Sequence, residues 1–133
     1  MKRLRQAFSA LAIASACTLA ACGKDRGPAA PKAGELTLNL TTPYADDGAI
    51  LVAISGPQIG TVRAASSALA VHSRAVSGGV KVAVFGDIAS GALLRIAVPD
   101  VSQPSKYSAT VVEVSDRANA LRSQSPGYKT RIQ

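Results

Sequence analysis

The feature that most constrains this chain is a period of two in its hydropathy pattern. From Glu35 onward, apolar and polar residues alternate through most of the sequence, as in Leu36, Leu38 and Leu40 with threonine and asparagine between them. Alternation of this kind places the apolar side chains on one face of a β-strand. The runs recur about every 10 to 14 residues, with Gly, Pro and Asp turns between them. The pattern therefore predicts an all-β fold, a small antiparallel β-sandwich of about seven to nine strands.

The predicted strands occupy the apolar runs between these turns. Residues 49–54 form a continuous apolar run, which predicts a central strand covered on both faces. Residues 114–123 are open to two interpretations, one or two helical turns capped by Asp116 or a further strand. The other predicted strands cover residues 36–40, 59–65, 68–74, 80–85, 92–98, 107–114 and 128–132.

The first 22 residues have the organisation of a secretory signal. Basic residues at positions 2, 3 and 5 precede an apolar run over 7–21, which is short for a membrane span. The run ends in Leu19-Ala20-Ala21-Cys22. An ordinary signal peptide followed by a chance cysteine, or a single-span anchor, are the alternative interpretations.

This ending resembles the lipobox of bacterial lipoproteins. The resemblance implies cleavage between Ala21 and Cys22, a diacylglyceryl thioether on Cys22 and acylation of its freed amine. Two or three acyl chains give stable attachment to a membrane. Gly23, rather than Asp, follows the cysteine, so the family's inner-membrane retention signal is missing. The expected location is the bacterial cell envelope, with the outer membrane favoured.

Three regions follow from this processing: a signal peptide over 1–21, a lipidated cysteine with a flexible tether over 22–34, and a β-sandwich over 35–133. The tether is rich in Gly and Pro and has no periodic apolar pattern. Cys17 would leave with the signal and Cys22 would carry lipid, so the mature chain is expected to have no free thiol and no disulfide.

The net positive charge of the chain is a weaker indication of nucleic-acid binding once the signal peptide is removed. Removal of Lys2, Arg3 and Arg5 leaves 12 of the 15 basic residues and lowers the net charge from +7 to +4. The remaining cations are scattered, and no basic run is interleaved with aromatic residues, whereas nucleic-acid binding requires such a patch. The sequence therefore predicts no nucleic-acid partner and a weak attraction of the tether to anionic lipid.

Candidate chemical groups are few. His72 is the single histidine; it lies in an alternating strand at the parity opposite to Val71, which predicts a solvent-facing position. One histidine cannot build an ordinary zinc site, and no G-x-S-x-G elbow is present. Asp46-Asp47-Gly48 could begin a calcium loop but lacks EF-hand spacing, so a plain turn is the favoured interpretation. No cofactor or catalytic residue is predicted, and calcium at the acidic loops is left open.

Asp87, Asp100 and Asp116 each flank a predicted strand end. In a sandwich, some of these carboxylates could gather at one pole, and the sequence does not show which. Glu35 and Glu113 are the only glutamates, and both lie in strand-like contexts, where a glycosidase-type pair across a cleft is not expected.

One segment adds a second resemblance. Residues 82–98 consist of a strand, a loop bounded by Gly86 and Gly91, and a second strand ending Leu94-Arg95-Ile96-Ala97-Val98. This succession resembles cohesin-type and related carbohydrate-binding sandwiches. It implies an immunoglobulin-like or cohesin-like sandwich and a role in binding protein or glycan.

The functional expectation is a lipid-anchored, non-catalytic binding, adhesion or envelope-assembly module, with an envelope protein or glycan as partner. One alternative is an enzyme or accessory subunit acting on envelope polymer, with His72 and an aspartate as the acid/base pair. A second is a structural lipoprotein whose sheet edge pairs with a partner strand.

Overall fold

The computed structural model describes residues 27–123 and 127–133, and they form a β-sandwich of two four-stranded antiparallel sheets. Sheet I has the order β3-β6-β1-β8, and sheet II has the order β4-β5-β2-β7. The chain crosses repeatedly between the two layers. The strands are β1 (Gly34–Thr41), β2 (Asp47–Ser55), β3 (Val62–Ala64), β4 (Ala70–Val76), β5 (Gly79–Ile88), β6 (Gly91–Val98), β7 (Ser108–Asp116) and β8 (Lys129–Ile132).

The small antiparallel β-sandwich predicted from the alternation is therefore confirmed. The alternating apolar residues of both sheets meet in one core between the layers. Its deeply buried members on β1, β2, β5 and β6 include Leu38, Leu40, Ile50, Val52, Val82, Val84, Leu94 and Ile96. Tyr107 closes one end, where its hydroxyl donates to the carbonyl oxygen of Pro57 at 2.8 Å.

Several strand boundaries differ from the predicted ones, and β3 has less than half of its predicted length. The predicted strand over 59–65 shrinks to Val62–Ala64, although the backbone on either side still forms hydrogen bonds with β6. Gly60 N–H donates to the Ala97 carbonyl oxygen at 2.9 Å, and Ala65 N–H donates to that of Leu93 at 3.0 Å.

The helical interpretation of residues 114–123 is wrong. β7 continues to Asp116, and a turn follows that brings Leu121 back to form a β-bridge with Ser115. Within residues 27–123 and 127–133, the structure contains one 3-10 turn, Pro104–Lys106. The same residues include no helix long and apolar enough to cross a membrane.

The prediction that the 49–54 strand is covered on both faces is also wrong. β2 is an inner strand of sheet II, between β5 and β7. Its side chains alternate, with Ile50, Val52 and Ile54 buried while Ala49, Leu51 and Ala53 are only half-buried. No second layer covers the latter face among the described residues, so an apolar strand face remains in contact with solvent.

The two ends of the sandwich are chemically distinct. At the tether pole, β1 begins, β2 and β6 end, and β7 begins. At the distal pole lie the end of β1, the start of β2 and the end of β7. The chain enters at the tether pole, where Lys32 C=O accepts from Val101 N–H at 2.8 Å.

Candidate binding surface

The outer faces of the two sheets differ in chemistry. Sheet I presents a polar and charged surface to solvent, on which Arg63 and Glu35 form an ion pair at 2.7 Å. Its outward polar positions include Glu35, Thr37, Arg63, Arg95 and Arg131, with Ala92 and Ala97 of β6 on the same face. The solvated face of an antiparallel sheet is normally of this polar kind. The outer face of sheet II is less polar than this.

The outer face of sheet II is a set of cross-strand rows that we call the sheet II platform. The strand registers define the rows, because directly opposed residues of an antiparallel pair point to the same face. From the distal pole, they are Ala70–Phe85–Ala49–Ser115, His72–Ala83–Leu51–Glu113, and Arg74–Lys81–Ala53–Thr110. The two inner strands, β5 and β2, thus contribute alanines with Phe85, Leu51 and Lys81 standing among them.

Leu121, which is bridged to Ser115 of the first row, extends the platform at its distal end, where two large apolar side chains are exposed. Phe85 is 46% exposed and Leu121 is 74% exposed. Together with Ala49, Leu51 and Ala83 they line a shallow groove of about 240 Å³. Single exposed apolar residues are ordinary on a protein surface, whereas a contiguous group of them marks an interaction surface.

The turn after β7 is built so that Leu121 lies beside this groove. The Asp116 carboxylate accepts hydrogen bonds from Ala118 N–H and Ala120 N–H, both at 2.9 Å. Asn119 adopts φ +64, a left-handed conformation that Asn tolerates better than most residues. These local bonds return the chain to β7, and the Ser115–Leu121 bridge follows.

A buried carboxylate organises the same distal pole. Asp47, at the start of β2, is 0% exposed. Its carboxylate accepts from Arg122 Nε at 2.8 Å and from the Thr42 hydroxyl at 2.5 Å. The Tyr128 hydroxyl lies 2.9 and 3.0 Å from its two oxygens and donates to it. A buried charge is tolerated when it is paired and hydrogen-bonded in this way.

Arg122 connects the buried carboxylate to the loop before β2. Its guanidinium also pairs with Asp46 and lies 4.0 Å from the centre of the Tyr44 ring, a cation–π contact. Burial lowers the pKa of Arg122, but the hydrogen bond from its guanidinium to Asp47 and the charge of Asp46 outweigh burial, so the pKa is raised overall. Arg122 therefore holds the 117–123 segment against the 42–47 loop as a permanent cation.

Tyr128 completes this polar cluster from the side of β8. Burial and the hydrogen bond to the Asp47 carboxylate raise the pKa of Tyr128 to about 12. The phenol therefore stays protonated at neutral pH and serves as a donor rather than as a base. The cluster of Thr42, Asp47, Arg122 and Tyr128 is an internally satisfied structural unit.

The structure gives the Asp46-Asp47-Gly48 turn a role without a metal. Both carboxylates are ion-paired to Arg122. Gly48 lets the strands approach closely, since a Cβ there would lie 2.9 Å from Arg117 Cα. Across residues 27–123 and 127–133, no three His, Cys, Asp or Glu side chains are grouped so that they could hold a metal ion.

The other aspartates separate between the two poles. Asp87 and Asp116 join Asp46 and Asp47 at the distal pole, where Asp87 pairs with Arg117 at 3.0 Å. Asp100 lies at the tether pole. Its carboxylate accepts from Ser102 Oγ at 2.7 Å, from Ser102 N–H at 3.0 Å and from Lys32 N–H at 3.3 Å. Those hydrogen bonds, the one from the Ser102 hydroxyl first, lower the pKa of Asp100 to about 2.

His72 is exposed on the outer face of β4, as its parity predicts. Its ring lies 6.1 Å from that of Phe85 in an edge-to-face arrangement. The row register places Glu113 three strands away, about 14 Å at the usual strand spacing. Within the described part of the chain, no hydrogen bond or ion pair joins His72 to a carboxylate, and the acid/base pair imagined from the sequence is not assembled there.

Ala21 and Cys22, the predicted cleavage and lipidation positions, lie outside the described residues. Sequence reasoning missed two features inside them. The first is the platform, because the continuous apolar run of β2 predicts a strand covered on both faces. The Asp47–Arg122 pair joins residues 75 positions apart, and the one available signal was an acidic and a basic residue flanking apolar strand ends.

Comparisons with protein-family models, with curated proteins and with solved structures give no match.

Proposed function

We propose that this chain is a bacterial lipoprotein whose β-sandwich is a non-catalytic binding or assembly module of the cell envelope. The signal peptide ends at Ala21, Cys22 carries the lipid, and residues 23–34 form the tether. The basic start, the apolar run, the Leu19-Ala20-Ala21-Cys22 box and the Gly/Pro-rich segment after it all support this reading. Gly23 after the cysteine favours the outer membrane.

The observation that carries the binding role is the sheet II platform. It exposes Phe85 and Leu121 around half-buried Leu51, with alanines between them, where a solvated sheet would carry polar residues. An apolar surface of this kind gains free energy when a partner covers it, at roughly 25 cal/mol per Å² of apolar area. An envelope protein or a glycan is the expected partner.

The position of the tether favours an orientation in which the distal end of the platform points away from the membrane. Lys32 is bonded to Asp100 and Val101 at the tether pole, whereas Phe85 and Leu121 belong to the distal half of the platform. A lipid on Cys22 would therefore hold the tether pole toward the membrane. Phe85, Leu121 and Tyr44 would be presented on the side away from the bilayer.

Binding is tested by capture from envelope extracts and on glycan arrays with the chain starting at Gly23. That chain keeps both sheets and every core residue. The wild-type chain should capture a discrete component, and Phe85→Asp should lose it while circular dichroism stays unchanged. Thr37→Asp, on the outer face of sheet I, is the matched control and should bind normally. Equal capture by all three chains would refute the platform as the binding surface.

Lipidation has its own test. Intact-mass analysis of the mature wild-type protein should find a diacylglyceryl modification on Cys22, and Cys22→Ser should leave an unprocessed precursor. An unmodified Cys22 at the mature N-terminus would refute the lipoprotein assignment.

Edge pairing is a second candidate function, and β4 supports it. This strand pairs with β5 and with no other strand in the described part of the chain, and six of its seven residues are exposed. Because Val76 and Gly79 close a two-residue turn, the backbone groups of Val71, Ser73 and Ala75 point away from β5. Ser73→Pro would remove an outward donor and abolish edge pairing, whereas Ser73→Ala would preserve it.

A further inference from the structure

We infer that the sheet II platform is covered by the same platform of a second copy of this chain, in a two-fold dimer whose axis runs parallel to the strands. The inference rests on the proposed binding role of the platform and names its partner. It is carried by the sizes and charges of the residues in the platform rows.

The first support is size complementarity across the two inner strands. A two-fold axis running between β2 and β5 places β2 of one copy over β5 of the other. The directly opposed pairs are Ala49 with Phe85, Leu51 with Ala83, and Ala53 with Lys81. In the dimer, each of these large side chains therefore stacks on an alanine of the facing copy. These residues lie nearest the axis, where the usual angle of about 30° between packed sheets displaces them least.

The second support is charge complementarity at the outer strands. The same axis places β4 of one copy over β7 of the other, so that His72 lies over Glu113 of the second copy, with Arg74 one row away. Arg74 and Lys81 are directly opposed on the platform, and neither forms an ion pair with a carboxylate in the described part of the chain. A facing carboxylate would relieve this unfavourable like-charge pair.

The same charges disfavour the competing two-fold arrangements. An axis perpendicular to the strands and along the central row would stack β4 on β4 and β7 on β7, and it would place Glu113 over Glu113 of the second copy. Edge pairing of β4 with β4, centred on Ser73, would oppose His72 and Arg74 across the new strand pair. Cationic residues on an edge strand commonly prevent such pairing.

The area sets the strength of the dimer. Four strands at about 4.8 Å and three outward residues per strand at about 6.8 Å outline roughly 400 Å² per copy. Stable interfaces bury about 800 Å² per partner. The dimer should therefore be weak in solution, with a Kd in the micromolar range, and two anchored copies on one membrane would associate through their high local concentration.

The experiment is directed disulfide formation. The chain starting at Gly23 has no cysteine, so introduced thiols are the only ones. A mixture of Leu51→Cys and Ala83→Cys chains should oxidise to the mixed dimer at least about tenfold faster than Thr37→Cys, the sheet I control, oxidises with itself. Sedimentation up to about 0.5 mM should show a reversible dimer, which Phe85→Asp weakens about 30-fold.

The outcomes separate the two proposals. No mixed disulfide and a monomer at every concentration would overturn the dimer, as would rapid self-crosslinking of Ser73→Cys, which indicates edge pairing instead. If the chain is monomeric and Phe85→Asp still loses capture of an envelope component, the platform binds a different partner and the proposed function stands without this inference.

Discussion

Arg122→Met tests how the distal pole is held together. The substitution keeps an unbranched apolar side chain over Tyr44 and removes the guanidinium. Among the described residues, Asp47, with 0% exposure, then keeps only the hydroxyls of Thr42 and Tyr128 as side-chain partners. The carboxylate remains inside the protein without its compensating charge.

The magnitude follows from the burial of both partners. Removing one member of a buried ion pair costs about 3–5 kcal/mol. The Arg122 side chain is 16% exposed, so water screens part of this cost, and we expect a loss of about 3 kcal/mol in the free energy of unfolding. For a domain of this size the loss lowers Tm by about 12–24 °C.

The assay is urea and thermal unfolding at pH 7, with two comparisons. Arg117→Met breaks the exposed pair with Asp87 and should cost less than about 1 kcal/mol. Adding Asp47→Asn to Arg122→Met should restore about 2 kcal/mol, because the uncompensated charge is removed. If Arg122→Met is as mild as Arg117→Met, or the double variant is the less stable, the buried pair does not organise this pole.

Three further predictions concern single groups. The raised pKa of Tyr128 means that folding favours the protonated phenol, so its stabilising effect should be complete below about pH 10 and lost as pH rises toward 12; Tyr128→Phe should flatten that alkaline slope in pH-dependent unfolding. Gly79→Ala should cost about 3 kcal/mol, since its Cβ would lie 2.0 Å from the Ile54 carbonyl oxygen, whereas Gly78→Ala, in open space at φ +78, should cost about 1 kcal/mol; equal losses in denaturant midpoints would argue against that packing. His72→Ala should change Tm by less than about 2 °C, and hydrolysis of envelope polymer should be the same for the wild-type and variant chains. A loss of hydrolytic activity without a loss of stability would favour the catalytic alternative.

The fold was predictable because the period of two is a local property. One face of β1 is specified by Leu36, Leu38 and Leu40 without reference to any other strand. Likewise, the Gly-rich turn before β5 specifies the β4–β5 hairpin locally. The length of β3 was not predictable in this way. Its flanks have strand-like residues, yet the extent of pairing depends on where β6 lies.

The binding surface was less accessible to sequence reasoning. A run such as Ile50-Leu51-Val52 is compatible with a strand buried on both faces or with one whose second face meets a partner outside the chain. Within the chain nothing distinguishes the two, because a layer supplied by another molecule would leave no trace in this sequence. The Asp47–Arg122 pair was hidden for a related reason, since its members meet only after the whole sandwich has formed.

The most direct measurement of the central claim is thiol accessibility in native envelopes. Ala83→Cys lies in the middle of the platform and Thr37→Cys lies on the outer face of sheet I. If Cys17 is removed with the signal peptide and Cys22 is lipidated, as proposed, each substitution supplies the only free thiol of the mature chain for a maleimide reagent. A platform covered by a partner predicts that Ala83→Cys is protected in the envelope and reacts only after dilution in detergent, whereas Thr37→Cys reacts in both. Equal reaction of the two thiols in intact envelopes would contradict it.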